Sequence, residues 1–432
     1  MKVKSYLLLP LYIFFCGACS NFEDASLTKR NTFVRFFADN INFESPTVEV
    51  DSDGGYIIAY NIPKGDNVFD SQILKLDENG NQIWEQSLTN SFVRAIKPYN
   101  GGYLIAGIGI VIDPDATQAS ENYNTKAFIN HINNEGSVIG GFDFNQSIMV
   151  NESTLTIDFR GDAITLDNDG NILLLGSFKR PEAGSHETSI VIALSSANLQ
   201  PIWTKSYSLL NRDYINCPSI YFTPNGKLVW ASTSTLTLQN SNEAYVSIAY
   251  VQPNSTFENN SKLGENDTRN HIVNDIRPSS IGYGIIGTYQ ESNQQNANIY
   301  FARVSNSGSI IENSTLYFDG HTESIVLNNR DESTTEDEGN AIIGTSDGGY
   351  LLGCTVTSTP TKGNGGTDIR LIKLDGFGNL LWTELIGGPG DESVSAIRET
   401  TNGNLIVCGT NSINGLSSVI LMKLTNQGSL AE

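Results

Sequence analysis

Short apolar runs separated by turn residues organise this chain. The clearest stretch is Glu338 to Gly390, where Ala341–Thr345, Tyr350–Thr357, Asp368–Leu374 and Leu380–Ile386 read as four strands. Each run is too short for a helix and is bounded by Gly, Asn or Asp. Gly348 and Gly349 close the first hairpin and Asp375–Asn379 the last, with residues that tolerate the positive φ of tight turns.

The same unit recurs along the chain. The turn before the second strand appears at Asp53-Gly54-Gly55-Tyr56, Asn100-Gly101-Gly102-Tyr103, Asp169-Gly170-Asn171, Asn225-Gly226-Lys227, Ile281-Gly282-Tyr283, Asp347-Gly348-Gly349-Tyr350 and Asn402-Gly403-Asn404. These seven turns lie about 47 to 69 residues apart, a spacing that fits propeller blades and exceeds solenoid coils. The turn before the fourth strand is sharpest at Asp77–Asn81 and Asp375–Asn379, with weaker copies at Asn133–Gly136, Ser195–Trp203, Ser305–Gly308 and Thr425–Gly428. A degenerate copy lies near Gln252–Asn254.

The last unit stops too early for a fourth strand, whereas Thr32–Phe37 forms a strand that belongs to no preceding unit. Pairing the two closes a ring and removes an open sheet edge. Independent tandem sandwiches would leave no such complementary ends. The expected fold is therefore all-β: a seven-bladed β-propeller of four-stranded antiparallel blades over residues 32–432, closed by its N-terminal strand. The motifs resemble the tryptophan-docking repeats of pyrroloquinoline-quinone-type propellers and the Asp-Gly-Gly-Tyr repeats of secreted bacterial propellers. That resemblance implies fold more than activity.

Composition changes the picture in two ways. Only 17% of residues are charged, and 26 Lys plus Arg against 47 Asp plus Glu give a net charge of −21. A nucleic-acid partner is not expected, because phosphate binding needs a basic stripe. The N-terminus carries Lys2 and Lys4, an apolar Tyr6–Phe15 too short to span a bilayer, and Phe15-Cys16-Gly17-Ala18-Cys19. This resembles a bacterial lipoprotein signal over residues 1–18, with Cys19 lipidated and residues 19–31 as a polar tether. Cys16 stands where such signals usually carry Leu. The acidic Glu23-Asp24 resembles the export tag of surface lipoproteins of Bacteroidetes type, which implies an outer-membrane, cell-surface location. Cleavage without lipidation is the alternative. Of the other cysteines, Cys354 and Cys408 fall one register apart in equivalent strands and should face opposite ways. With Cys217, they read as small buried side chains.

Candidate chemistry is sparse. Trp84, Trp203 and Trp382 recur early in fourth strands and read as interblade packing rather than a sugar platform, as do Tyr56, Tyr103 and Tyr350. The Asp-rich turns read as self-capped loops rather than calcium sites. The connections after second and fourth strands are long, among them Asn61–Ser71, Val356–Thr367 and Asn411–Ser418, and share one face of the ring, where binding is expected. The blade-to-blade connections there are acidic: Asp162, Asp213, Glu265, Asp267, Asp337, Glu338, Asp391 and Glu392. Such a rim caps turns, holds a Ca2+ ion or attracts a cationic partner. His131, His186, His271 and His321 fall in different units, and no catalytic motif or quinone-type cysteine pair is present. The expectation is a non-catalytic binding or scaffolding propeller, capturing a glycan or peptide or docking to an outer-membrane protein complex. An accessory role in outer-membrane protein assembly or secretion, or a polysaccharide hydrolase or lyase, is the alternative.

Overall fold

The computed structural model describes residues 32–37, 44–65, 68–112, 123–150, 153–179, 186–207, 212–236, 244–255, 257–265, 269–291, 296–320, 335–359 and 362–431. Cys19 and the expected signal and tether segments lie outside them. Strand β1 (Phe33–Phe37) precedes the first complete sheet. Blade 1 is β2 (Glu44–Val50), β3 (Tyr56–Gly65), β4 (Val68–Leu76) and β5 (Gln82–Leu88). Blade 2 is β6 (Ser91–Tyr99), β7 (Gly102–Ile112), β8 (Tyr123–Asn133) and β9 (Val138–Phe144). Blade 3 adds a short β10 (Gln146–Val150) to β11 (Ser153–Leu166), β12 (Ile172–Lys179), β13 (Thr188–Leu194) and β14 (Pro201–Tyr207).

In blade 4 the first strand is broken into β15 (Arg212–Ile215) and β16 (Ile220–Phe222), both paired with β17 (Leu228–Leu236). Strands β18 (Ala244–Val251) and β19 (Phe257–Leu263) complete it. Blade 5 is β20 (Arg269–Ser279), β21 (Gly282–Glu291), β22 (Ala297–Val304) and β23 (Leu316–Phe318). Blade 6 is β24 (Asp337–Gly344), β25 (Tyr350–Thr359), β26 (Lys362–Leu374) and β27 (Leu380–Ile386). Blade 7 holds β28 (Asp391–Glu399), β29 (Leu405–Ile413) and β30 (Leu416–Leu424), and β1 is its fourth strand.

The closure is antiparallel, with Phe33 opposite Lys423 and Phe37 opposite Val419. Seven hydrophobic clusters follow, one between each pair of neighbouring blades, including blade 7 with blade 1. No blade owns a core by itself, so stability resides in the interfaces. Cys354 faces the blade 5 interface and Cys408 the blade 1 interface, on opposite faces as expected. Burial pushes the Cys217 and Cys408 thiols up to about 12.

The repeated turns do the packing predicted for them. Gly136, at φ +87°, seats its missing Cβ against the Trp84 ring, and Gly428, at φ +80°, does the same on Trp382. Any side chain there meets indole carbon at about 2.9 Å. Trp84 also donates Nε1–H to the Asn134 carbonyl at 2.7 Å, bolting blade 1 to blade 2. Asp77 and Asp375 each accept backbone N–H bonds from their own turn, at 2.8 Å. Three connections expected to be irregular are instead strand extensions. Pro63 pairs with Phe69, Thr359 with Lys362 and Ile413 with Leu416. Phe69 explains the first, since its ring meets Phe92 of the next blade edge-on at 4.9 Å.

Asp347 in the Asp-Gly-Gly turn is held down to about 2. Burial opposes its charge, but hydrogen bonds from Thr345, Lys373 and the Gly349 N–H outweigh it. A depressed carboxylate contributes stability that is present above its unfolded value, near 3.8, and lost as pH falls through about 2. The side chain is 58% exposed, so solvent screens most of the gain. Asp347→Asn is expected to cost about 0.5–1 kcal/mol in denaturant melts at pH 7 and almost nothing at pH 2.

Candidate functional site

The innermost strands β2, β6, β11, β15/β16, β20, β24 and β28 line a central channel. Six of them carry a register shift at an equivalent place: Glu44/Thr47, Val93/Ala95, Gly161/Ala163, Val273/Asp275, Gly339/Ala341 and Val394/Ala396. The seventh is the break after β15, where Asn216 takes φ +54°. A bulged residue leaves the ladder and its side chain is re-aimed. Here the seven positions, Pro46, Arg94, Asp162, Asn216, Asn274, Asn340 and Ser395, form one ring, polar at all but Pro46, around a cavity of about 280 Å³.

Polar side chains on the neighbouring blades hold this ring in place. Asn61 donates to the Val93 carbonyl at 3.0 Å and accepts the Val93 N–H at 2.7 Å. Thr233 accepts the Val273 N–H at 3.1 Å, and Asn274 donates to the Gly339 carbonyl at 2.9 Å. Each bond crosses a blade interface, so the ring is fixed by the packing that holds the propeller together.

A second ring lies three residues further along the same strands: Arg94 leads to Lys97, Asn274 to Arg277, Ser395 to Arg398, Asp162 to Thr165 and Pro46 to Glu49. These line an adjoining cavity of about 180 Å³, with Ser219 and Tyr221 from blade 4. The two cavities share Thr47, Arg94, Pro218 and Arg277. The second lies toward the short-turn end of the strands, away from the long-connection face.

Charge in this second ring is tightly arranged. Arg398 pairs with Glu49 through Nη2, Arg277 places Nε 3.1 Å from both Asp275 oxygens, and Arg94 Nε stands 2.9 Å from Asp162. Burial works against ionisation of Glu49, but Arg398, Arg277 and Lys97 together hold its carboxyl below the usual range. Lys97 is pushed down, chiefly by burial and then by Arg277 and Arg398, with Glu49 opposing. Tyr221 is pushed up by burial. Its hydroxyl is buried without a well-formed hydrogen bond, and Ser219 is the side chain that offers it a weak one. One cavity therefore gathers an ionised carboxylate, a phenol held protonated and a lysine whose charge burial disfavours, three groups whose surroundings shift them in different directions.

The acidic positions expected to form a rim are spread among separate local roles. Asp337 is fully buried and accepts the Gly320 N–H at 3.0 Å and the Thr357 N–H at 2.9 Å. Asp213 is buried and takes the Glu187 N–H, with His186 at 3.8 Å. Glu265 pairs with Lys262, and Glu338 accepts from Asn340 at 3.1 Å. Glu392 accepts the Gly388 N–H at 2.7 Å and an Asn411 N–H. Burial, then Asp368 and Asp391, raise its pKa. Asp391 is exposed, and Asp267 lies outside the described residues. Among the described residues no three His, Cys, Asp or Glu converge as a metal set.

No protein-family model and no curated protein matches the sequence. Among solved structures, the chain is similar to Trypanosoma rangeli sialidase in complex with 2,3-difluorosialic acid, a covalent intermediate, at a TM-score of 0.46 and 11% identity. That match covers 90% of this chain and 54% of the sialidase, so the chain spans about half its length. A Dyadobacter fermentans protein of unknown function is similar at a TM-score of 0.40 and 11% identity, covering 90% and 99% of the two chains. Extracellular domains 1–2 of Drosophila semaphorin 1b are similar at 0.42 and 10%, covering 90% and 87%. At these scores no residue role is carried across. The expectation of a non-catalytic capture or scaffolding module is corrected: the solved structures similar to this chain include sialidases, which are enzymes, and that expectation is withdrawn. Distant likeness extends both to sialidases and to a semaphorin.

Sequence reasoning named Asp162, as a rim residue, but missed both channel rings. The available signal was a polar residue set between small or β-branched ones, as in Val93-Arg94-Ala95, Gly161-Asp162-Ala163, Gly339-Asn340-Ala341 and Val394-Ser395-Ala396, always shortly before a turn.

Proposed function

We propose that this propeller is a glycan-active enzyme, a polysaccharide hydrolase or lyase, working in its central channel. The observation that carries this reading is the cluster of Glu49, Lys97 and Tyr221 in one cavity, each pushed from its ordinary protonation behaviour by the same surroundings. Thr47, Thr165 and Ser219 add hydroxyls to the same wall, which suits a polyhydroxylated ligand better than an apolar one. Tyr221 is placed to donate a proton to a departing oxygen, while Glu49 stays ionised beside it. Lipidation of Cys19 would display the enzyme on the outer membrane, facing polymeric substrate.

The test is reducing-end release and ultraviolet absorbance on a panel of neutral and acidic polysaccharides, with wild-type protein, Tyr221→Phe and Glu49→Gln. Removal of a general acid or base is expected to lower kcat by about 10² or more; Tyr221→Phe should melt close to wild type, whereas Glu49→Gln leaves Arg398 unpaired and should melt a few degrees lower. Full activity in Tyr221→Phe and Glu49→Gln, or no turnover of any polymer, sinks the reading.

A further inference from the structure

We propose that the second channel ring binds the oxyanion of an acidic sugar, a uronate carboxylate or a sugar sulfate ester, on Lys97 and Arg277 with Arg398 behind them. This rests on the channel being the glycan site and names the class of glycan.

Both the charges in the channel and its unused donors call for an anion. The chain as a whole carries −21, yet the 180 Å³ cavity is lined by Arg94, Lys97, Arg277 and Arg398 against the single carboxylate of Glu49. Adding Asp162 and Asp275 from the adjoining cavity gives four cations and three carboxylates, an excess of one positive charge. Each carboxylate is matched to one guanidinium: Glu49 to Arg398, Asp162 to Arg94, Asp275 to Arg277. Lys97 is left over. Among the described residues its ammonium meets no acceptor within hydrogen-bond or ion-pair distance.

Arg277 has spent only Nε, on both oxygens of Asp275. Its two terminal nitrogens make no hydrogen bond among the described residues, and they form the fork that matches a planar or tetrahedral oxyanion. Arg398 is committed to Glu49 and to the Ile397 carbonyl, and its Nε is buried without an acceptor. Half-buried cations with idle donors are costly unless an anion completes them. The hydroxyls of Thr47, Thr165 and Tyr221 beside them fit the ring oxygens of a sugar that brings this anion. The volume admits one sugar residue, which directs the proposal to a single acidic unit of a chain.

The experiment is titration calorimetry on the full-length protein with galacturonate, galactose 6-sulfate, galactose and inorganic sulfate. Galacturonate or galactose 6-sulfate is expected to bind at least about tenfold tighter than galactose, and added salt to weaken it. Whichever of the two binds tighter identifies the oxyanion. Lys97→Gln is expected to lose about tenfold and Lys97→Arg to keep most of the affinity, both with near-wild-type melting because Lys97 makes no hydrogen bond or ion pair among the described residues and Arg398 remains the main partner of Glu49. Arg277→Gln, checked for an unchanged melt, is expected to lose more. Equal binding of galactose and galacturonate, wild-type affinity in Lys97→Gln, or binding of inorganic sulfate alone overturns the proposal. Binding of acidic sugars without turnover of any polymer would end the enzyme reading and leave this site standing. Turnover of neutral polymers without preference for acidic ones would do the reverse.

Discussion

A protein lacking residues 32–38 is expected to melt about 5 °C lower than the full chain and to self-associate on a sizing column. Strand β1 supplies the outer edge of blade 7, and its side chains reach two interfaces at once. Val34 packs against the cluster between blades 6 and 7, whereas Phe33 and Phe37 pack between blades 7 and 1. Phe33 also meets Tyr56 edge-on at 5.9 Å, and Thr32 accepts the Ala431 N–H at 2.9 Å. Three half-buried apolar side chains and a five-residue ladder amount to roughly 3–5 kcal/mol. Spread over a chain this long, that loss moves the midpoint by only a few degrees. The larger consequence is β30, whose backbone donors and acceptors become an open edge from Val419 to Lys423. A synthetic peptide of residues 32–38 should restore monomers. An unchanged melt and a monomeric truncated protein would show that the ring does not depend on this strand.

Arg398→Met is expected to destabilise the protein by about 3 kcal/mol at pH 7, the cost of leaving a partly buried carboxylate without its main partner. Glu49 and Arg398 side chains are 22% and 12% exposed, so water cannot replace the lost contact fully. The sign with pH follows from the depressed Glu49 carboxyl. Its stabilisation is complete above the unfolded value, near 4.5, and disappears as pH falls through the lower folded value. The gap between wild type and Arg398→Met should therefore narrow below pH 4.5, where Glu49 in the variant takes up a proton and no longer needs a partner. The double variant Glu49→Gln/Arg398→Met should recover about 2 kcal/mol of the loss, a coupling read directly from urea melts. Coincident urea curves for wild type and Arg398→Met at pH 7 would remove the pair from the stability of the channel.

The blade count and the closure were legible because turn chemistry is local. Gly54, Gly170, Gly226, Gly348 and Gly403 all take positive φ and close the same kind of turn, so the residues that spell the turn are the residues that make it. Trp84 and Trp382 were legible for the same reason, since the glycine each packs on recurs with it. The channel was not legible because a bulge is a relation between two strands. Nothing in Val93-Arg94-Ala95 alone says that Arg94 leaves the ladder while Val93 and Ala95 keep neighbouring partners. Nor does the sequence say that Lys97, Arg277 and Arg398 meet, for they lie on blades 2, 5 and 7 and only ring closure brings them together. The acidic connections were legible in part: residues such as Asp337 and Glu392 satisfy backbone N–H groups, the turn-capping role that was among those expected of them.

Because every blade sends one bulged residue into the channel, and six of the seven send a second residue three places later, the wall is composed like a combination lock, with one dial per blade. Exchanging the inner strand of a single blade resets one position on each level it reaches and leaves those of the other blades untouched. A family of such wheels can thus diversify what it accepts by small, separable edits, without renegotiating the interfaces that keep the wheel round.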